Sequence, residues 1–379
     1  MSHFVTTHHD PIAAVTSDEP GRIYAGLALH DALVWSDSIG MWVAANTSTV
    51  RDALTHADCR VRPTGEPIPP CLTGTTAGAI FSKLARMTDG GYHDRTKRAI
   101  SHALDSVKPG QIRSGASHHA TALANDGDLS RFSFELPIHV VGELLGAPDA
   151  QLRSLAEWAG SFVRCLAPRA TEEDVLAGIV AANQLSELFS ELLSGGKTPR
   201  FLATMRNGFQ NAGVHDLEAV IANTIGILFQ THDATAGLIG NTIIHLARHP
   251  DAIDSAIPLD SQVRAIIADV SHNDASIQNT RRFVTRDATI FGQAVQAGDA
   301  ILIVLASTQE NESDAQGDAW PFGFGNHACP GQSIALTIAE AVVVEIVRRG
   351  MIPVTLPSPM PYRQLANARV PIFGCPVQH

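Results

Sequence analysis

The stretch "PFGFGNHACPGQ", Pro321 to Gln332, places two phenylalanines, three glycines and a histidine around Cys329. A free cysteine is by default an inert core thiol. The flanks of this one point elsewhere. Cys329 stands at the entrance to a helix that begins near Gly331, where backbone N–H groups and about half a unit of positive macrodipole charge favour an anion. That setting lowers a thiol's pKa and favours the thiolate, the metal-binding form. Gly325 and Gly331 allow tight turning and close approach to something flat, and Phe322 is placed to keep water from the sulfur. The chemistry is that of a thiolate held against a large planar partner.

Most of the chain reads as helix, and helices must position this loop. Apolar residues recur at helical spacing through Ile138–Leu145, Leu152–Cys165 and Val175–Leu193. The dominant element runs from Asp216, a candidate N-cap, to Arg248, with His249-Pro250 closing it. At about 1.5 Å per residue it spans roughly 45–50 Å, enough to cross a domain, and its apolar residues on several faces predict burial. From Arg281 to Ser307 the chain turns β-branched and is broken by Gly292 and Gly298, predicting a small sheet with turns. After Cys329 comes a helix carrying Glu340 and Glu345 and ended by Gly350. The proline-punctuated tail predicts short strands. No repeat or linker interrupts the chain, so residues 1–379 read as a single, mainly α domain with a small β-rich region.

Bulk properties exclude several function classes. With 45% hydrophobic and 17% charged residues, the composition is globular. A formal net charge of −11 argues against a nucleic-acid or anionic-membrane surface. No run reaches the roughly 18 apolar residues of a membrane span. The start of the chain shows no signal peptide. Five widely spaced cysteines do not make a disulfide framework, which fits a cytoplasmic protein. Histidines number 17, but no HExxH or CxxC gives zinc-site spacing.

Phe322-x-x-Gly325-x-x-x-Cys329-x-Gly331, with His327 two places before the cysteine, resembles the haem-binding loop of the cytochromes P-450. The resemblance extends over most of the chain, through "GELLGAPDAQLRSLAEWAGSFVR", "ATAGLIGNTIIHLARHP" and "TRRFVTRDATIFGQAVQAGDAILIVLAS", and is to soluble bacterial members. It implies the cytochrome P-450 fold, with haem b between the long central helix and the cysteine loop and Cys329 as axial thiolate. It also implies propionate contacts from His93 and Lys97, four apart on one helix face, with Arg98 adjacent, and from Arg282 and His327. Lys97 replaces the usual arginine and lacks its fork-like grip on a carboxylate.

Three departures stand beside the matches. Where the family carries a small pair, an acid and a threonine above the iron, this chain has Gln230-Thr231-His232-Asp233-Ala234. The acid is kept as Asp233, the proton-delivering threonine is Ala234, and Gln230 and Thr231 fill the small positions of the substrate pocket. Thr235 lies about 100° further round the helix, so it is not a simple substitute. The Glu-x-x-Arg pair has become Asp269 and His272, which still have a spacing that allows pairing. The meander between Ser307 and Phe322 is short.

The resemblance implies an oxidoreductase that oxidises a small, biosynthetic molecule with O2 and electrons, supplied by a ferredoxin/reductase donor, or with peroxide. Asp233, Thr235 or water would then supply protons in place of Ala234. Two alternatives stay open: a redox-neutral haem-thiolate isomerase or dehydratase, which needs no proton relay, and a non-catalytic helper that activates another protein. The intact cysteine loop counts against the helper.

Overall fold

The computed structural model describes residues 10–123, 128–307 and 320–374. The chain divides into two compact units, one of Met1–Gly65, Asp269–Cys329 and Pro357–Pro371, the other of Glu66–Ala268, Pro330–Leu356 and Ile372–His379.

The first unit holds α1 (Pro20–Ala28), α2 (Thr47–Thr55) and the strands β1 (Val34–Ser36), β2 (Met41–Ala44), β3 (Cys59–Arg60), β4 (Asn279–Val284), β5 (Ala288–Ile290), β6 (Gln293–Val295) and β7 (Ala300–Val304). Five of these form a sheet ordered β1-β2-β7-β4-β3. Its β2–β7 pair is parallel and its other pairs antiparallel. The unbroken apolar run of β7 follows from burial on both faces. Ile301 and Ile303 join Val50, Leu54 and Trp320 in one core, while Val304 joins Tyr24 and Val43 in another. The hairpin β5–β6 turns through Phe291 and Gly292, both at positive φ (47° and 75°). That pair of left-handed residues matches the twist of flanking strands.

The tail forms no named strand among the described residues, only isolated bridges at Ile277↔Ala368 and Tyr362↔Pro371. Pro353, Pro357, Pro359, Pro361 and Pro371 supply no N–H to a ladder. The buried Arg369 fastens the tail instead. It donates to Asp274 at 2.9 Å, to the carbonyls of Val15 and Ser17 at 3.0 and 2.7 Å, and to the Tyr362 hydroxyl at 2.7 Å.

The second unit contains α3 (Thr76–Lys83), α4 (Gly90–Asp105), α5 (Pro109–Leu123), α6 (Leu129–Leu145), α7 (Leu152–Cys165), α8 (Glu172–Ser194), α9 (Arg200–Asn211), α10 (Leu217–Arg248) and α12 (Gln332–Arg348). α11 (Leu259–Asn273) precedes β4 in the chain, with its residues up to Ala268 in this unit and those from Asp269 in the first. α10 is the axis of this unit, packed by α3, α6, α7, α8, α9 and α12. Asp216 caps it, accepting from the Glu218 N–H. α12 buries Ile338 to Ile346, so its two acids need partners. Glu340 takes a two-point contact from Arg264, at 3.0 and 2.9 Å, and a third bond from Arg113 at 3.0 Å. Glu345 pairs with Arg349 at 3.1 Å. The helix ends in a Schellman turn, Met351 N–H to Ile346 O and Gly350 N–H to Val347 O, with Gly350 at φ 64°.

Candidate functional site

The cysteine loop is built by backbone bonds that its glycines permit. Gly323 and Gly325 have φ 74° and 66°, a region closed to most side chains. The turn they allow closes with Gly323 N–H on Trp320 O at 2.9 Å, Ala328 N–H on Gly325 O at 3.0 Å and Cys329 N–H on Phe322 O at 2.8 Å. The last bond fixes the residue that carries the thiol. Gly331, at φ −95°, needs no glycine for its conformation; it is the N-cap of α12 and brings no side-chain cap. With no acidic residue in the first turn either, α12 itself supplies no negative charge to its positive end. Phe322 and His327 are half-buried, and Cys329 is exposed.

Helix α2 supports this loop in a way the sequence did not announce. The Arg51 guanidinium lies 5.5 Å from the Trp320 ring centre and 5.9 Å from that of Phe324. The two rings sit 4.7 Å apart. One turn on, Thr55 Cγ2 is 3.2 Å from where a Cβ on Gly325 would stand. Arg51 and Thr55 share a helix face, so one side of α2 grips the loop at two points.

On strand β4, Arg282 is 4% exposed and donates to Arg281 O at 2.9 Å. Its neighbour Arg281, which the sequence reading passed over, is half-buried, and no carboxylate pairs with it among the described residues. Burial alone pushes its guanidinium below the ordinary arginine range. An arginine does not give up its proton, so the shift marks an uncompensated cation that would be stabilised by an anion.

In the helical unit, His93 on α4 is 3% exposed, with Nδ1 2.8 Å from Ala85 O. Lys97 is half-buried on the same face and Arg98 is exposed. α10 carries the other candidates. From Ala219 to Ile244 every residue is buried except Ile227, Gln230, Thr231, Asp233 and Ala234. Four of these follow helical spacing and make one open stripe on an otherwise enclosed helix. Gln230 folds back, donating to Gly226 O at 2.6 Å, and Thr231 donates to Ile227 O at 2.9 Å. Thr235 is buried, off the stripe.

Asp233 borders the stripe and meets His232, whose Nδ1 is 2.8 Å from Asp233 Oδ1. Successive helix residues do not ordinarily face each other, so spacing gave no signal for this pair. His232 packs against Phe134 of α6, ring centres 5.0 Å apart, and its Nε2 is 3.1 Å from the place a Cβ would take on Gly160 of α7. A mid-helix glycine costs roughly 1 kcal/mol against alanine. Here it makes room for an imidazole.

Asp269 and His272 are both exposed, and Asp269 accepts from Asn273 at 2.8 Å. The shortened meander falls largely at residues 308–319, outside the described ones.

No family model matches the chain. Curated relatives do. It is 23% identical to 20-oxo-5-O-mycaminosyltylactone 23-monooxygenase of Streptomyces fradiae, over 95% of this chain and 88% of that protein. It is also 23% identical to the biotin biosynthesis cytochrome P-450 of Bacillus subtilis, an alignment of 58% of this chain and 59% of that one. Among solved structures, CalO2 superimposes with a TM-score of 0.77 at 20% identity, covering 97% of this chain and 98% of that one. The chain belongs to the cytochrome P-450 superfamily. Its fold is the mainly helical P-450 fold with a small sheet region.

The cofactor of a P-450 is haem b, held by an axial cysteine thiolate. The donor set of this P-450 fits that group. Of the described cysteines, Cys59 and Cys165 are buried, and burial pushes their thiols up to about 11 and about 12. Cys71 is exposed in the short turn Pro70–Leu72. Cys329 alone among them combines exposure with a glycine-built loop leading into a helix N-terminus. Among the described residues, no helix is long and apolar enough to cross a membrane.

Proposed function

We propose that this P-450 is a haem-thiolate oxidase or monooxygenase acting on a small biosynthetic metabolite, with Cys329 as the iron ligand. The observation that carries this reading is the Cys329 loop, whose two left-handed glycines and Cys329 N–H···O Phe322 bond present an exposed thiol just before an uncapped helix. Haem, when bound, supplies an iron whose thiolate ligand favours O–O cleavage.

The chain's own residues divide the remaining work. Each unit offers residues for the propionates: Arg282 and His327 in the first, and His93, Lys97 and Arg98 on α4 in the second; Arg281, with no carboxylate partner among the described residues, adds a cation on the strand of Arg282. Gln230, Thr231 and Ala234 would line the substrate side along the open stripe of α10. Asp233 would hold and give up the proton that a threonine at position 234 would otherwise relay, with Thr235 buried behind it. Electrons would come from a ferredoxin/reductase donor, or peroxide would replace both electrons and O2. Cytoplasmic placement fits the absence of a spanning helix among the described residues.

Ala234→Thr tests the proton side. Higher coupled oxygen use is expected, because positioned proton transfer contributes about 10²–10⁴-fold. A second reading is favoured by the same residue: with no hydroxyl at Ala234, a redox-neutral isomerase or dehydratase loses nothing. Product formed equally with and without O2 or peroxide would select it. Full pathway activity with Cys329→Ser would instead select a helper without haem chemistry.

A further inference from the structure

We propose that His232 is a proton relay that recharges Asp233 from the α7 side of α10, an inference that rests on the haem-thiolate reading above. A carboxylate only accepts hydrogen bonds, so the 2.8 Å contact with Asp233 Oδ1 makes Nδ1 the protonated nitrogen of the neutral ring. Nε2 is then the basic nitrogen, and it lies on the Gly160 side. Arg164 of α7 lies on that same side. Arg164 Nη1 stands 3.5 Å from the Gly160 Cβ position, and Arg164 is exposed and donates to Ser161 Oγ at 3.0 Å. One ring therefore joins a carboxyl beside the open stripe to the Gly160 notch, one turn from the exposed Arg164 of α7. Phe134 against the ring holds it in that plane.

The proton count closes without any electron transfer. Asp233, protonated, gives its proton towards the stripe and becomes a carboxylate. Water on the α7 side protonates Nε2. The resulting imidazolium passes the Nδ1 proton to Asp233 Oδ1, and the ring regains its first tautomer by exchange with water. The recharging step itself uses no hydroxyl at position 234.

The test uses the full chain, haem-loaded, with hydrogen peroxide and guaiacol as probe reactants, and three variants. His232→Asn keeps a donor near the Nδ1 position but passes no proton; His232→Phe keeps the ring shape alone; Gly160→Ala closes the notch with a better helix former. The relay predicts that peroxidation falls by about ten-fold or more in both His232 variants. Wild-type rates in His232→Asn would reduce His232 to an orienting role and overturn the proposal. The second readout is nitrogen NMR of labelled histidine on the haem-free and ferrous carbon-monoxide forms. It should show His232 protonated at Nδ1, with exchange of that proton slowed in Gly160→Ala. A ring protonated at Nε2, or exchange unchanged by Gly160→Ala, would sink the relay. Protein that takes up no haem would defeat the underlying functional reading, while the nitrogen measurement on the haem-free chain would still decide the relay.

Discussion

The assignment of Cys329 can be tested by its reactivity against that of the other cysteines. Burial raises the Cys59 thiol from 9.0 to about 11 and the Cys165 thiol from 9.0 to about 12. At pH 8 the thiolate fractions are then about 10⁻³ and 10⁻⁴, against about 10⁻¹ for an ordinary thiol. A more basic thiolate is also the better nucleophile, with a Brønsted slope of about 0.4–0.5, and this offsets part of the loss. The net slowing against an aromatic disulfide is about 10–16-fold for Cys59 and about 30–60-fold for Cys165, before steric shielding is added. Exposed Cys71 and Cys329 should therefore react first in the haem-free protein, as read by mass spectrometry of timed digests. Haem loading should remove Cys329 from the reactive set and leave Cys71 unchanged. Equal labelling of Cys329 with and without haem would refute its role as ligand. Labelling of Cys59 or Cys165 as fast as Cys71 would refute the burial argument.

Two further outcomes follow from the same geometry. Arg51→Ala removes two cation–π contacts worth about 0.5–1 kcal/mol each, together about 1–2 kcal/mol, so the Cys329 amide should exchange with deuterium about 5- to 30-fold faster while the α10 amides are unchanged; no change at Cys329 would mean that α2 does not hold the loop. His139 on α6 is lowered from 6.5 to about 4 by burial, with the nearby His119 adding to the effect. The unfolded chain then binds the proton first, so stability falls by up to about 3 kcal/mol as the pH drops from about 6.5 to about 4. Denaturant unfolding of His139→Leu across that window should show a correspondingly shallower dependence, and identical slopes would contradict the burial of a neutral ring.

The parts of this molecule that were legible in the sequence are those written in local patterns. α10 begins after Asp216 and ends at Arg248 as its cap and its His-Pro stop dictate, and α7 keeps the bounds of its apolar periodicity. The sheet segment broke at Gly292 and Gly298 because both need positive φ. What stayed hidden depends on contacts between distant segments. Nothing near Trp320 in the chain indicates Arg51, and the His232–Asp233 contact runs against the rule for adjacent helix positions. Arg281 was passed over for Arg282 because the motif names a position, whereas burial and pairing decide which guanidinium is left uncompensated. The tail misled because its β-type residues alternate with prolines, and Arg369 rather than a ladder fastens it.

The central claim, a haem iron held by the Cys329 thiolate, is tested most directly by the carbon-monoxide difference spectrum of the purified, reduced protein. The far-red-shifted Soret band of thiolate-bound haem is predicted for the wild type and its loss for Cys329→Ser. A Soret band at the position of haem without a thiolate ligand, or no haem after supplementation during expression, would contradict it.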